Sequence, residues 1–181
     1  MSTRVLVVVF DALRPEFVMP DLMPRLSAFA QTGVRYANSR STFLTETRVN
    51  QSAVTSGVMA NKHGLVANIF VAPDVSPETA LNTGKDEELE AAFARVGGRL
   101  FGVPTVGQLL KAAGRSYATM SAGTSGGGRL INHSAEADGT FRFAMRRPEA
   151  GHPAGIADAI AARLGPLPDY HLPAIDWIRY A

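Results

Sequence analysis

An apolar run near the amino terminus constrains the fold of this chain more than any other feature. Residues 4–10 read RVLVVVF, and Asp11 follows directly. A continuous β-branched run of this kind is typical of a parallel strand that helices bury on both faces. The run is too short to span a membrane and lacks a small-residue cleavage site. The sequence therefore predicts a buried strand that ends in an acid, and the cytoplasm as the simplest location.

The pattern that follows alternates between helical and strand periodicity. Apolar residues recur at helical spacing from Asp21 to Thr32, with Asp21 as the N-cap and Gly33 as the stop. The next segments predict a strand over 34–39, a loop that holds Thr45 and Thr47, and a helix that ends at Gly57. Further helices are predicted over 86–96, 106–113, 155–165 and 172–181, and a strand over 116–123. Residues 73–102 form a polar segment, and we assign no catalytic role to it.

This alternation predicts an α/β fold with a parallel sheet, in which residues 1–181 form a single α/β domain. The composition, with 46% hydrophobic and 19% charged residues, is that of a globular chain. The net charge is only +2 and the basic residues are dispersed, so we expect no nucleic-acid polymer and no membrane as a partner. The absence of cysteine excludes disulfides, thiolate metal sites and a cysteine nucleophile.

Two positions stand where chemistry is expected on the residue pattern alone. Ligands of open parallel sheets bind beyond the carboxyl ends of the strands, which is the predicted position of Asp11. Thr47 comes just before a helix start, where unpaired backbone N–H groups and the helix dipole favour a phosphate. Each residue also has an ordinary structural interpretation, Asp11 as a turn or cap residue and Thr47 as a threonine N-cap. The pattern by itself leaves both interpretations open.

Taken together, three segments resemble the opening of the alkaline phosphatase superfamily, in its nucleotide pyrophosphatase/phosphodiesterase branch. The segments are VLVVVFDALRPEF, MPRLSAFAQTGVRYANS and TFLTETRVNQSAVTSGVMANKHGLVAN, in that order. They cover residues 4–68, and residues 104–125 are similar to the family more weakly. The resemblance implies an alkaline phosphatase-like parallel-sheet sandwich, present here as its amino-terminal part.

The resemblance also implies roles for three residues. Asp11 matches the family's metal-binding aspartate, and Thr47 matches the nucleophile, the second threonine of Thr-x-Thr, which also contacts metal. Asn68 closes the His-Gly-x-x-x-Asn run and matches the residue that donates a hydrogen bond to a phosphate oxygen. The implied cofactors are two divalent metal ions, zinc or alternatively manganese, and the implied partner is a small phosphorylated substrate, with an oligomer left open. A threonine hydroxyl is a weak nucleophile, so it needs such activation.

The chain departs from the family pattern around the nucleophile. Residues 48–51, Arg-Val-Asn-Gln, replace the usual Phe-Pro-Asn-His, and Leu44 stands where a proline is common. Two catalytic zinc ions need about six or seven protein ligands, of which this chain supplies two. We therefore expect the remaining ligands beyond residue 181, in a longer catalytic domain, and expect these 181 residues alone to be inactive.

Two other functions compete with this one. The segment GTSGGGR, residues 123–129, would serve a non-catalytic nucleotide-binding α/β module, although it lacks the Lys-Ser/Thr of a P-loop and is predicted to be a flexible loop. A sulfatase-like hydrolase is disfavoured, because that branch modifies a Cys or Ser that is followed by Pro and Arg. We assign structural roles to the four histidines, which show no metal-binding spacing. They are His63, His133, His152 and His171.

Overall fold

A computed structural model of the protein describes residues 3–167. The described residues divide into two compact units, one up to Ser41 and one from Thr42 onward. The α-helices are Pro24–Ala30 (α1), Thr47–Ser56 (α2), Ala60–His63 (α3), Asp86–Arg95 (α4), Val106–Ala112 (α5), Ser125–Leu130 (α6), Ala135–Asp138 (α7) and Ile156–Leu164 (α8). The strands are Ile69–Ala72 (β1), Ser76–Asn82 (β2), Ala118–Ser121 (β3) and Phe141–Ala144 (β4). Short 3₁₀ helices occur at Pro15–Phe17 and Pro148–Ala150.

In the first unit, the predicted strand over residues 4–10 is not formed. These residues belong to no ladder, and their apolar side chains are exposed, from 54% for Phe10 to 87% for Leu6. The preference of valine for strands is largely a preference for packing within a sheet, so it cannot create a strand without a hydrogen-bonded neighbour. The predicted strand over 34–39 is wrong for the same reason, and Val34 and Tyr36 are likewise exposed.

The first helix is confirmed but is shorter than predicted. Helix α1 begins at Pro24 after Met23, not at Asp21, and ends before Gln31. Proline is well suited to the first helical position, because its fixed φ matches the helix and its missing N–H would have no intrahelical partner there. The helix buries Ser27 and leaves Phe29 exposed.

The second unit contains two small sheets. Strands β1 and β2 pair antiparallel, with Ile69 opposite Asn82, and β3 and β4 pair parallel, with Ala118 opposite Phe141. The fold class is therefore mixed α/β, and the described residues form no large parallel sandwich. The difference follows from the two predicted strands that are absent, since a wide parallel sheet needs each strand to pair with the next.

Helices α2, α4, α5 and α8 and strand β3 confirm the predicted elements, because their signals are local. Gly57 takes a left-handed conformation, φ 72°, at the end of α2, where a residue with a Cβ would be strained. Thr105 and Gln108 form a capping box at the start of α5. The helix predicted over 172–181 lies outside the described residues. No helix within residues 3–167 combines the length and the apolarity that a membrane span requires.

The core of the second unit lies between α4 and α6. Its buried apolar residues come from distant parts of the sequence and are Leu65, Leu89, Phe101 and Leu130. Two buried histidines border this cluster. The ring of His133 packs edge-on against Phe93 and Phe101, at centroid distances of 5.4 and 5.1 Å, and His63 packs against Phe101 at 6.3 Å.

The buried ring of His133 is expected to make stability depend on pH. Burial, together with the charges of Arg129 and Arg142, lowers the pKa of His133 from its ordinary 6.5 to about 4. The unfolded chain therefore takes up a proton below pH 6.5, whereas the folded chain does not until about pH 4. The free energy of unfolding is therefore expected to be highest above pH 6.5, where His133 is neutral in both states. It should fall by about 3 kcal/mol as the pH drops to 4.

Urea unfolding across this pH range checks the prediction. The variant His133→Phe keeps an aromatic ring in the cluster without the ionisable group, and its free energy of unfolding should change less with pH than that of the wild type. Equal pH dependence in His133→Phe and wild type would contradict the assignment.

Candidate functional site

The start of helix α2 brings two of the three predicted site residues together. Thr47 is the first residue of the helix and is exposed, and Glu46 occupies the N-cap position with extended backbone. The backbone N–H of Arg48 donates to the side-chain oxygen Oδ1 of Asn68 at 3.1 Å. Asn68 therefore accepts one of the N–H groups that every helix leaves unpaired in its first turn. Its side chain lies beside the residue that follows Thr47.

Asn68 is held through its main chain as well as its side chain. Its backbone N–H donates to Oε2 of Glu46. Its carbonyl oxygen accepts from the backbone N–H of Thr83 at 3.0 Å and from the Thr83 hydroxyl at 2.8 Å. Within residues 3–167, the amide nitrogen Nδ2 is the one polar atom of Asn68 that makes no hydrogen bond to protein. This nitrogen is the donor that the resemblance assigns to a phosphate oxygen.

Arg48 and Thr83 close a ring of hydrogen bonds around Asn68. The guanidinium Nε of Arg48 donates to the Thr83 hydroxyl at 2.8 Å, and that hydroxyl donates onward to Asn68. Thr83 is fully buried, and it follows β2 in the segment to which the sequence assigned no catalytic role. The sequence offered no signal for this contact, because Thr83 belongs to no motif.

Residues 50 and 51, in the segment where the chain departs from the family pattern, hold neighbouring parts of the structure in place. The side chain of Asn50 accepts from the backbone N–H of Thr42 at 2.7 Å and donates to the carbonyl oxygens of Leu44 and Glu46. Asn50 thus ties the loop before Thr47 to the helix after it. Gln51 donates to the carbonyl oxygen of Gly127 at 3.0 Å.

Asp11, the third predicted site residue, lies in the first unit. It occupies an exposed turn closed by the Leu13 N–H and the Phe10 carbonyl oxygen at 3.4 Å. The following residue, Ala12, has φ 61°, a left-handed conformation that is uncommon for a residue with a Cβ. Convergence of Asp11 with Thr47 on one metal ion stays a prediction.

The donor atoms of Asp11 and Thr47 are of a suitable kind for a divalent ion, but the described residues do not make up a metal centre. Among residues 3–167, no three His, Cys, Asp or Glu side chains lie close enough to hold an ion together. A tetrahedral zinc site requires three or four protein ligands.

His63, which begins the His-Gly-x-x-x-Asn run, is buried at the end of α3 and has a structural role. The backbone N–H of Leu65 donates to its Nδ1 at 3.2 Å, so the neutral ring carries its proton on Nε2. Burial lowers the pKa of His63, which keeps the ring neutral. Gly64 after it ends α3 in a left-handed conformation. The contact with Leu65 shapes the turn that leads to Asn68.

The flexible loop predicted over residues 123–129 is wrong, because most of this segment is the buried helix α6. Thr124 caps the helix by accepting from the N–H of Gly127. The N–H groups of Gly126 and Gly128 donate to the carbonyl oxygens of Gly84 and Thr124. A Cβ on Gly128 would lie 2.6 Å from the Cβ of Ala144, so the glycine permits close packing against β4. These three N–H groups already bind protein oxygens and do not form a phosphate cradle.

Comparison with known proteins places the chain in a family. Residues 5–156 match the family described as type I phosphodiesterase / nucleotide pyrophosphatase. Similar curated proteins are bis(5'-adenosyl)-triphosphatases from Xenopus laevis (31% identical), Mus musculus (32%) and Homo sapiens (31%). These matches cover 37–38% of this chain and 15% of each relative, so the aligned part is a small share of the relatives' length. No solved structure gives a significant match. Since the family match spans most of the sequence, the chain belongs to the type I phosphodiesterase / nucleotide pyrophosphatase family.

Proposed function

We propose that the protein hydrolyses a phosphodiester or pyrophosphate bond in a small phosphorylated substrate, with Thr47 as the nucleophile and Asn68 as a hydrogen-bond donor to the phosphate. The observation that supports this most directly is the hydrogen bond from the Arg48 N–H to Asn68 Oδ1. It turns the oxygen of the carboxamide towards the helix and leaves Nδ2 to donate, beside the residue that follows the exposed Thr47.

The chemistry uses Thr47, the first residue of α2, and Asn68, whose side chain contacts the first turn of that helix. The hydroxyl oxygen of Thr47 forms a bond to phosphorus while the bond from phosphorus to the leaving oxygen breaks, and the threonine proton is lost to solvent. Water then cleaves the phosphothreonine ester and restores the hydroxyl. The Asn68 amide and the positive end of the helix dipole stabilise the charge on the phosphate oxygens.

The proposal includes dependence on two divalent metal ions, zinc or manganese. Asp11 and Thr47 would contribute oxygen ligands, and polypeptide beyond residue 181 would contribute the others. When bound, such an ion lowers the pKa of a coordinated hydroxyl, which Thr47 needs at neutral pH. The names of the aligned relatives make a dinucleoside triphosphate the first natural substrate to test.

The covalent ester on Thr47 provides a direct test. Protein from the complete reading frame is mixed with zinc and diadenosine triphosphate, quenched in acid, and analysed by intact-mass and peptide mass spectrometry. We expect one nucleotidyl group on the peptide that contains Thr47, and none after removal of metal with a chelator. Bis-p-nitrophenyl phosphate serves as a second substrate that does not depend on base recognition.

Thr45 provides the matched control, because it is an exposed threonine two positions before Thr47. The variant Thr45→Ala should still form the adduct, and Thr47→Ala should not. An adduct on another residue, or none during active turnover, would contradict the assignment of the nucleophile. Zinc-dependent turnover by the 181-residue chain alone would contradict the proposal that ligands lie beyond it.

A further inference from the structure

Thr83, which belongs to no motif of the sequence, makes hydrogen bonds with both Asn68 and Arg48. We propose that Thr83 is a positioning residue that orients the Asn68 carboxamide beside Thr47. This inference rests on the proposed function, because it concerns the same phosphate site.

Thr83 holds Asn68 through two donor groups. Its backbone N–H and its hydroxyl both donate to the Asn68 carbonyl oxygen, at 3.0 and 2.8 Å. Thr83 is fully buried, so water does not compete for these bonds. The main chain of Asn68 is therefore fixed from the side of β2, while Glu46 fixes its N–H from the side of α2.

The same hydroxyl also holds Arg48, the residue after Thr47. Its oxygen accepts from Nε of Arg48 at 2.8 Å, and the backbone N–H of Arg48 in turn holds Asn68 Oδ1. One buried hydroxyl thus joins the donor residue to the segment that carries Thr47. Its loss would leave Arg48 Nε without this acceptor and would release one of the two bonds to the Asn68 carbonyl.

Together these contacts orient the Asn68 carboxamide for donation to a ligand. Asn68 uses its N–H, its carbonyl oxygen and its Oδ1 within the protein, which leaves Nδ2 as its donor to a ligand. A preorganised donor stabilises a transition state only while its geometry is held. Displacement of catalytic groups by about 1 Å can cost on the order of 10²-fold in rate, so loss of one supporting bond should cost on the order of 10-fold.

The test is steady-state kinetics with bis-p-nitrophenyl phosphate on protein from the complete reading frame. Thr83→Val should lower kcat on the order of 10-fold while KM changes little, and Thr83→Ser should restore kcat because it keeps the hydroxyl. In the Asn68→Ala background, Thr83→Val should have no further effect on kcat. Thr55→Val, at another buried threonine, should leave kcat unchanged and controls for a general loss of stability. Equal effects of Thr83→Val in both backgrounds would overturn the proposal.

A second measurement separates failure of this inference from failure of the proposed function. If the wild type does not hydrolyse phosphate esters, the proposed function fails, and the orientation of Asn68 is then read by NMR. The Nδ2 signal of a held carboxamide should show the relaxation of a rigid group. Thr83→Val should increase the mobility of the Asn68 carboxamide in relaxation measurements, and Thr83→Ser should not. Unchanged Asn68 signals in a folded Thr83→Val protein would overturn the positioning role.

Discussion

Replacement of Thr47 with alanine should abolish phosphodiester hydrolysis by the protein from the complete reading frame, with kcat lower by about 10⁶-fold, as loss of a nucleophile causes elsewhere. The reason is that no bond to phosphorus can form at this position without the hydroxyl. Thr47 is exposed at the first position of α2, so the change should cost little stability. Bis-p-nitrophenyl phosphate hydrolysis in the presence of zinc measures the effect.

The neighbouring substitutions make this result specific. Thr47→Ser keeps a hydroxyl and should retain part of the rate, and Thr45→Ala should behave as the wild type. Asn68→Ala should lower kcat by about 10²–10³-fold, as loss of one preorganised donor does, while it leaves bound metal nearly unchanged. Loss of metal from a folded Asn68→Ala protein would instead identify Asn68 as a ligand. A Thr47→Ala protein with near-normal turnover would exclude the nucleophile proposed here.

The second large effect is expected from Asp86→Ala, which should lower the free energy of unfolding by about 3–5 kcal/mol. Asp86 is the first residue of α4 and is 2% exposed, and it pairs with Arg129 of α6, which is 4% exposed. Arg129 donates to both carboxylate oxygens, with Nη2 to Oδ2 at 3.0 Å, and Arg147 donates to Oδ2 as well. Removal of the carboxylate leaves a buried guanidinium without its main partner.

Glu87 provides the control for this change. It is the next residue of α4, its side chain is 63% exposed, and its nearest approach to Arg147 is 3.9 Å. Exposed pairs contribute little, so Glu87→Ala should cost less than about 0.5 kcal/mol. Urea unfolding of both variants measures the difference. If Asp86→Ala cost no more than Glu87→Ala, the buried pair would not stabilise the contact between α4 and α6.

The sequence predicted best those elements whose signals lie within one segment. Helix α5 has its capping box within four residues, and helix α2 has its glycine stop, so short-range geometry suffices to define them. The family was also predictable, because Thr-x-Thr and His-Gly-x-x-x-Asn stand at readable positions in one continuous stretch. The predicted strands over 4–10 and 34–39 failed, since a strand requires a partner that its own residues do not specify.

What the sequence alone determined is the family and the identity of the candidate residues Thr47 and Asn68, because motifs are local in the chain. Only the tertiary structure revealed that Thr83 holds Asn68, and that the glycines of residues 126–128 lie in a packed helix. Both facts depend on contacts between segments separated by 15 or more residues, as the bond from Thr83 to Asn68 illustrates. Such contacts depend on which elements pack together. The spacing of residues within one helix or strand does not determine which other element it contacts.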